Sequence, residues 1–166
     1  MTRSIQPMQA ADWEPVRRIY EEGIAGGNAT FETRVPDYAE WDRRHHQNCR
    51  LVLKIAAELA GWAALSPVSS RAVYSGVAEV SVYVASGRQR QGIGNALLDA
   101  LIRESETARF WTLQASIFPE NEASIELHRK HGFRIVGRRE RMAQLHGVWR
   151  DTILLERVQR LSSGME

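Results

Sequence analysis

Val77-Ala78-Glu79-Val80-Ser81-Val82-Tyr83-Val84 runs into Ala85-Ser86-Gly87-Arg88-Gln89-Arg90-Gln91-Gly92-Ile93-Gly94, and this stretch decides the fold class. Val80, Val82 and Val84 alternate with Glu79, Ser81 and Tyr83, the period of a strand whose two side-chain sets face opposite ways. Beyond the glycines, Leu97, Leu98, Leu101 and Ile102 recur at helical spacing. Strand, glycine loop and helix are therefore consecutive. Such a junction aims unpaired backbone N–H groups and the positive end of a helix dipole at one point, which suits a phosphate. Gly92 and Gly94 permit positive φ and close backbone approach, and Arg88 and Arg90 add charge beside them. An isolated glycine pair equally fits an ordinary strand-to-helix turn, so the surrounding pattern has to decide. A Walker A loop is excluded because no Lys-Ser or Lys-Thr follows either glycine, and a dinucleotide fingerprint because the third glycine is missing.

Outward toward the N-terminus, Arg3 to Gln6 predicts a strand and Ala10 to Glu22 an amphipathic helix with Gly23 after its end. Gly26 to Thr33 reads as a loop carrying an aromatic, Phe31, and Pro36 to Gln47 as a short second helix. Leu51 to Ala57 and Leu59 to Leu65 predict a hairpin joined around Glu58. Toward the C-terminus come a strand at Thr112 to Phe118, a helix at Asn121 to His131 stopped by Gly132, a strand starting at Phe133 to Val136 and a last strand at Gly147 to Val158. The order is mixed α/β (α+β) in one layered domain, expected over 1–160 with a frayed tail at 161–166.

The bulk numbers agree with that picture and narrow it. A chain of 166 residues, 43% apolar and 25% charged, is the size of one globular domain. A formal charge of +2 is too small to cover a long run of phosphates, so no nucleic-acid partner is expected. Cys49 is the one cysteine; it permits no intramolecular disulfide and points to a reducing, cytoplasmic compartment. Met1 to Pro15 holds Arg3, Asp12 and Glu14 without an apolar core, and Leu51 to Leu65 is interrupted by Lys54 and Glu58, so neither a signal peptide nor a membrane partner is expected. His45, His46 and His131 lack a third ligand at suitable spacing, and no metal is expected.

Gln89-Arg90-Gln91-Gly92-Ile93-Gly94 resembles the Gln/Arg-x-x-Gly-x-Gly/Ala signature of the GNAT superfamily of N-acetyltransferases, and Asn121-Glu122-Ala123-Ser124-Ile125-Glu126-Leu127-His128 resembles its second motif. A narrower resemblance, to the phosphinothricin and arsinothricin N-acetyltransferases, spans Ala29-Thr30-Phe31-Glu32-Thr33, Ala78 to Val84, Leu127-His128 and Gly147-x-Trp149-x-Asp151. The resemblance implies a single GNAT-type domain with a mixed, mostly antiparallel central sheet flanked by helices. It implies acetyl-CoA as co-substrate, its pyrophosphate on Gln89, Arg90, Gln91, Gly92, Ile93, Gly94 and Asn95. Its pantetheine arm would pair with Val82 and Val84 and meet Asn121 and Ser124. A small-molecule amine is the implied partner, with Phe31, Thr33, Arg71, Tyr74 and Tyr83 around it, and a homodimer could bring Trp149 to the other copy's site. Ser69 departs from the Lys often found there in phosphinothricin enzymes.

Acetyl transfer needs a neutral amine, whereas an α-amino group has a pKa of about 8 and is mostly protonated at neutral pH. Glu79, on the polar side of the central strand, is the candidate general base, and the resemblance gives it that role. His128 stands where many GNAT enzymes have a Tyr near the departing sulfur, and the phosphinothricin group also has His there. Imidazole can donate or accept a proton near neutrality. The expected function is direct transfer from acetyl-CoA to the amine of a small amino-acid-like substrate. The alternatives are a protein N-acetyltransferase and a catalytically silent acyl-CoA-binding module.

Overall fold

The computed structural model describes residues 2–161. Seven strands form one sheet in the order β1-β2-β3-β4-β5-β7-β6. They are β1 (Arg3–Pro7), β2 (Arg50–Ile55), β3 (Glu58–Pro67), β4 (Val77–Val84), β5 (Thr112–Ile117), β6 (Arg134–Leu145) and β7 (Val148–Val158). The helices are α1 (Trp13–Gly26), α2 (Tyr38–Arg44), α3 (Ile93–Thr107) and α4 (Glu122–Lys130). Every neighbouring pair is antiparallel except β4 and β5, which pair in parallel over Val77 to Glu79 and Thr112 to Gln114 alone.

Alternation along the strands splits the core in two. Leu51, Leu53, Ala63, Leu65, Ala78, Val80, Leu113 and Leu155 turn to one face and pack with Ile93, Leu97, Leu98 and Leu101 of α3. Val52, Trp62 and Ala64 turn to the other, against Val16, Ile19 and Tyr20 of α1 and Trp41 of α2. Burying a large aliphatic side chain is worth about 1.5–3 kcal/mol, so these two layers fix which way each strand faces. Glu79, Ser81 and Tyr83 consequently share the α1 face.

Several expected boundaries move. α1 passes through Gly23 to Gly26 and is capped by Gly27, whose φ of 81° lets its N–H reach the Ile24 carbonyl at 3.1 Å. Gly23 serves close approach instead, since a Cβ there would stand 2.7 Å from the Tyr83 ring. The hairpin turns on Ala56 and Ala57, not around Glu58; both have positive φ, 51° and 70°, as a type I′ turn requires. Cys49 is buried and lies just before β2 in left-handed backbone (φ 58°). Gly94 falls inside α3 rather than at positive φ; a Cβ would meet Leu127 at 3.3 Å, so it lets α3 pack against α4. β6 continues far past Val136 because β7 supplies a ladder as far as Leu145. The tail expected at 161–166 lies, residue 161 apart, outside the described residues.

Candidate active site

The parallel pairing of β4 with β5 stops at Glu79 and Gln114, yet β4 continues to Val84 and β5 to Ile117. The two strands part there. The parity of β4 follows from the Ala85 N–H, which donates to the Ala60 carbonyl of β3 at 2.9 Å. Alternating back along the strand, the N–H and C=O groups of Val84, Val82 and Val80 point away from β3 and into the parting. An extended ligand laid there could pair with them as a further strand would.

A cavity of about 250 Å³ occupies the parting. Its lining includes Glu79, Ser81, Tyr83, Ser116 and Thr152 from one face of the sheet, and Val80, Val82, Ala115, Ile117 and His128 with the α3 and α4 side. The cavity therefore passes through the sheet. A ligand entering between α3 and α4 and one entering beside α1 would meet end to end at the level of Glu79.

At the mouth toward α3, the chain from Ala85 to Gly92 turns three times through left-handed backbone, at Gly87 (φ 83°), Arg90 (φ 64°) and Gly92 (φ 76°). Gly92 caps α3, and the space its Cβ would fill is empty but for the Arg3 guanidinium at 3.9 Å. The Gln89 side chain braces the turn by accepting from the Gly87 N–H at 2.8 Å. Arg3, whose guanidinium donates to the Gln91 carbonyl, and Arg90 supply charge, while Arg88 stands 3.9 Å from Glu58. Open backbone donors, a helix N-terminus and two cations suit a pyrophosphate. Asn95 is held by His131 Nε2 at 2.8 Å. Both ends of the Asn121 amide are engaged, Oδ1 accepting from the Ser124 N–H at 3.3 Å and Nδ2 donating to the Asn28 carbonyl at 3.1 Å. Asn121 thus caps α4 and ties it to the loop after α1.

Glu79 is half-buried, and one carboxylate oxygen accepts from Gln114 Nε2 at 2.9 Å, leaving the other for a ligand. His128 is 4% exposed with Nδ1 2.7 Å from the Ser124 carbonyl. A carbonyl only accepts, so Nδ1 carries the proton and Nε2 keeps its lone pair. Burial holds the imidazole below its ordinary value of 6.5, partly offset by the Ser124 bond, so the ring is neutral at pH 7. Tyr83 stacks on Trp62 with centroids 4.8 Å apart and interplanar angle 10°, and burial pushes its phenol above the usual range.

The loop after α1 closes the α1 side. Phe31 meets Phe118 edge-on, centroids 4.8 Å apart. Arg150 of β7 pins this loop, donating to the Gly27 carbonyl at 3.1 Å, Asn28 Oδ1 at 2.9 Å and Glu120 at 2.8 Å while lying 4.0 Å over the Phe118 ring. Of the other expected acceptor contacts, Thr33 is exposed, and Arg71 and Tyr74 stack on each other 5.4 Å apart on the surface; none of the three lines the cavity. Arg3, Ser116, Arg139, Arg150 and Thr152 were not foreseen, because they reach the site from strands far away in sequence. Among the described residues no three His, Cys, Asp or Glu side chains gather as a metal would require. No helix of the described residues is long and apolar enough to cross a membrane.

A family model described as acetyltransferase (GNAT) family matches residues 13–133. The chain is 29% identical over 162 residues to the L-methionine sulfoximine/L-methionine sulfone acetyltransferase of Pseudomonas aeruginosa, covering 94% of each chain. A GNAT superfamily phosphinothricin acetyltransferase from Sinorhizobium meliloti, solved in complex with AcCoA, superposes with a TM-score of 0.86 at 28% identity over 99% of this chain and 95% of its own. A structure of ribosomal-protein-alanine N-acetyltransferase from Brucella melitensis gives 0.87 at 28% identity, over 94% of this chain and 99% of that one.

Proposed function

This chain belongs to the GNAT acetyltransferase family, an acetyl-CoA-dependent N-acetyltransferase, and from that premise we propose that its acceptor is the amine of a small, amino-acid-like molecule. The carrying observation is the cavity of about 250 Å³, roofed by Phe31, which is below the roughly 300–1,000 Å³ of drug-sized pockets. A peptide acceptor would need an open groove where the loop after α1 lies. The methionine sulfoximine and phosphinothricin relatives, and the arsinothricin-like motifs, support acceptors of that size.

Acetyl-CoA, when bound, supplies the activated thioester to which the amine nitrogen bonds as the carbon–sulfur bond breaks. Gly92 and its neighbouring amides, with Arg3 and Arg90, would hold the pyrophosphate, and Val80, Val82 and Val84 would pair with the extended arm. Glu79, oriented by Gln114, takes the ammonium proton and frees the nitrogen lone pair. His128, neutral with Nε2 open, can receive a proton and pass it to the departing sulfur. Tyr83 and Phe31 hold the acceptor over Glu79. No residue forms a covalent intermediate; Cys49 is buried and its thiol is pushed up to about 12, chiefly by burial.

Residues 1–160 form the catalytic domain on this reading, and the inert lone thiol fits a cytoplasmic enzyme. Ile135, Val136, Met142, Val148 and Trp149, all exposed along β6 and β7, support pairing with a second copy. Light scattering should then give twice the chain mass, and a single-chain mass would remove the dimer. The acceptor is tested by acetyl-CoA consumption with methionine sulfone, methionine sulfoximine, phosphinothricin, arsinothricin, polyamines and a peptide. Turnover with the first group and not the peptide is expected; turnover with the peptide alone would contradict the proposal.

A further inference from the structure

Thr152 is 5% exposed, lines the cavity, and its hydroxyl has no hydrogen-bond partner. A buried hydroxyl left unpaired costs about 1–3 kcal/mol, which marks the place where a ligand's polar group completes the structure. Its surroundings specify the charge of that group. In the ladder, Arg139 of β6 stands opposite Thr152 of β7, on the same face as Glu79 and Ser116. The Arg139 guanidinium reaches across β7 to Ser116 Oγ on β5 at 3.3 Å. Among the described residues no carboxylate lies within 4.0 Å of it. Thr152 and Ser116 therefore line the cavity, and Arg139, exposed at its rim and without a counter-ion, reaches that wall through its bond to Ser116.

Arg139 is also held in place. The β6–β7 register breaks just after it, and Asp151 spans the break, accepting from the Arg141 N–H at 2.9 Å and from Arg138 Nε at 2.8 Å. Resting on the small-acceptor reading above, we propose that Arg139, Ser116 and Thr152 form the subsite for the acceptor's carboxylate. The spacing fits. Ser116 is two residues along β5 from Gln114, the neighbour of Glu79, or roughly 7 Å. An amine and a carboxylate about 3 Å apart on one carbon, each with a hydrogen bond of about 2.9 Å, cover that span. Arg71, the cation expected from the sequence, stacks on Tyr74 at the surface, and neither residue lines the cavity, whereas Arg139 bonds the lining residue Ser116.

The test measures binding by calorimetry and turnover for methionine sulfone, its decarboxylated amine and methionine, with wild type, Arg139→Met, Arg139→Lys and Thr152→Val. Wild type should bind methionine sulfone at least about 10-fold tighter than the decarboxylated amine, as a charge-assisted bond implies. Arg139→Met should abolish that preference, shift the amine less than about twofold and leave acetyl-CoA affinity unchanged. Arg139→Lys should restore part of the preference, and Thr152→Val should weaken it. Methionine, which keeps the carboxylate and lacks the sulfone oxygens, should depend on Arg139 as strongly as the sulfone. Wild-type turnover with the preference intact in Arg139→Met would overturn the subsite alone, as would a dependence that follows the sulfone oxygens. Failure of the wild type to bind or acetylate any of the three would overturn the small-acceptor reading and the subsite together.

Discussion

Replacing Gly92 by Ala separates folding from cofactor binding at one atom. With φ 76° and ψ 11°, Gly92 is in left-handed backbone, which costs a residue with a Cβ roughly 1–2 kcal/mol. The added methyl meets nothing closer than the Arg3 guanidinium at 3.9 Å, so no packing penalty joins the backbone cost. For a domain of this size 1 kcal/mol moves Tm by about 2–4 °C, giving an expected fall of about 2–8 °C. The methyl projects into the space where a phosphate would approach. Displacing one or two charge-assisted bonds of about 1.5–3 kcal/mol each should weaken CoA by at least about 10-fold. Calorimetric titration of CoA reads the affinity and a thermal melt reads the stability. Gly26→Ala is the control, since Gly26 is helical and nothing lies within 4 Å of its would-be Cβ. A lowered Tm with unchanged CoA affinity would refute the phosphate cradle at Gly92.

In the hairpin, Ala57→Gly should raise Tm by about 2–4 °C, because it relieves roughly 1 kcal/mol of left-handed strain at φ 70°; an unchanged or lower Tm contradicts the turn assignment. Arg150→Met removes the two bonds that pin the loop after α1, together with the one to Glu120 ahead of α4, and should raise the acceptor KM about 10-fold with acetyl-CoA KM unchanged. Equal effects on both substrates would show general damage instead. Burial holds His45, His46, His128 and His131 below their ordinary value of 6.5. On acidification the unfolded chain takes up these protons first, near pH 6.5, and the folded chain only at lower pH, so stability falls as pH drops through that window. Melts should be flat above about pH 7 and decline below about 6.5; a Tm constant down to pH 5 would contradict the burial.

Local signals made the centre of the fold legible. Alternation at Val80, Val82 and Val84 gave the strand, and the leucine stripe after Gly94 gave α3, because each reports a local period imposed by burial. The loop and Glu79 followed from that junction. What stayed hidden is what the sheet assembles from afar. Arg139 and Thr152 meet Ser116 only through the order β5-β7-β6, and no spacing announces it. Gly23 looked like a helix stop, since a glycine reads alike whether it ends a helix or admits a neighbouring ring. The charged run Arg138 to Arg141 hid the length of β6, because an irregular edge strand braced by Asp151 has no alternation to read.

In the proposed mechanism Glu79 takes the acceptor's proton inside the parting of β4 and β5. Comparing Glu79→Gln with wild type across pH, by turnover and by CoA titration, tests this directly, since the amide keeps the size of the side chain but cannot act as a base. Turnover should fall about 100-fold or more at neutral pH, the typical contribution of a general base, and recover as the medium rises through the amine's pKa of about 8, with CoA affinity within about twofold of wild type. Unchanged turnover at neutral pH would contradict the central claim.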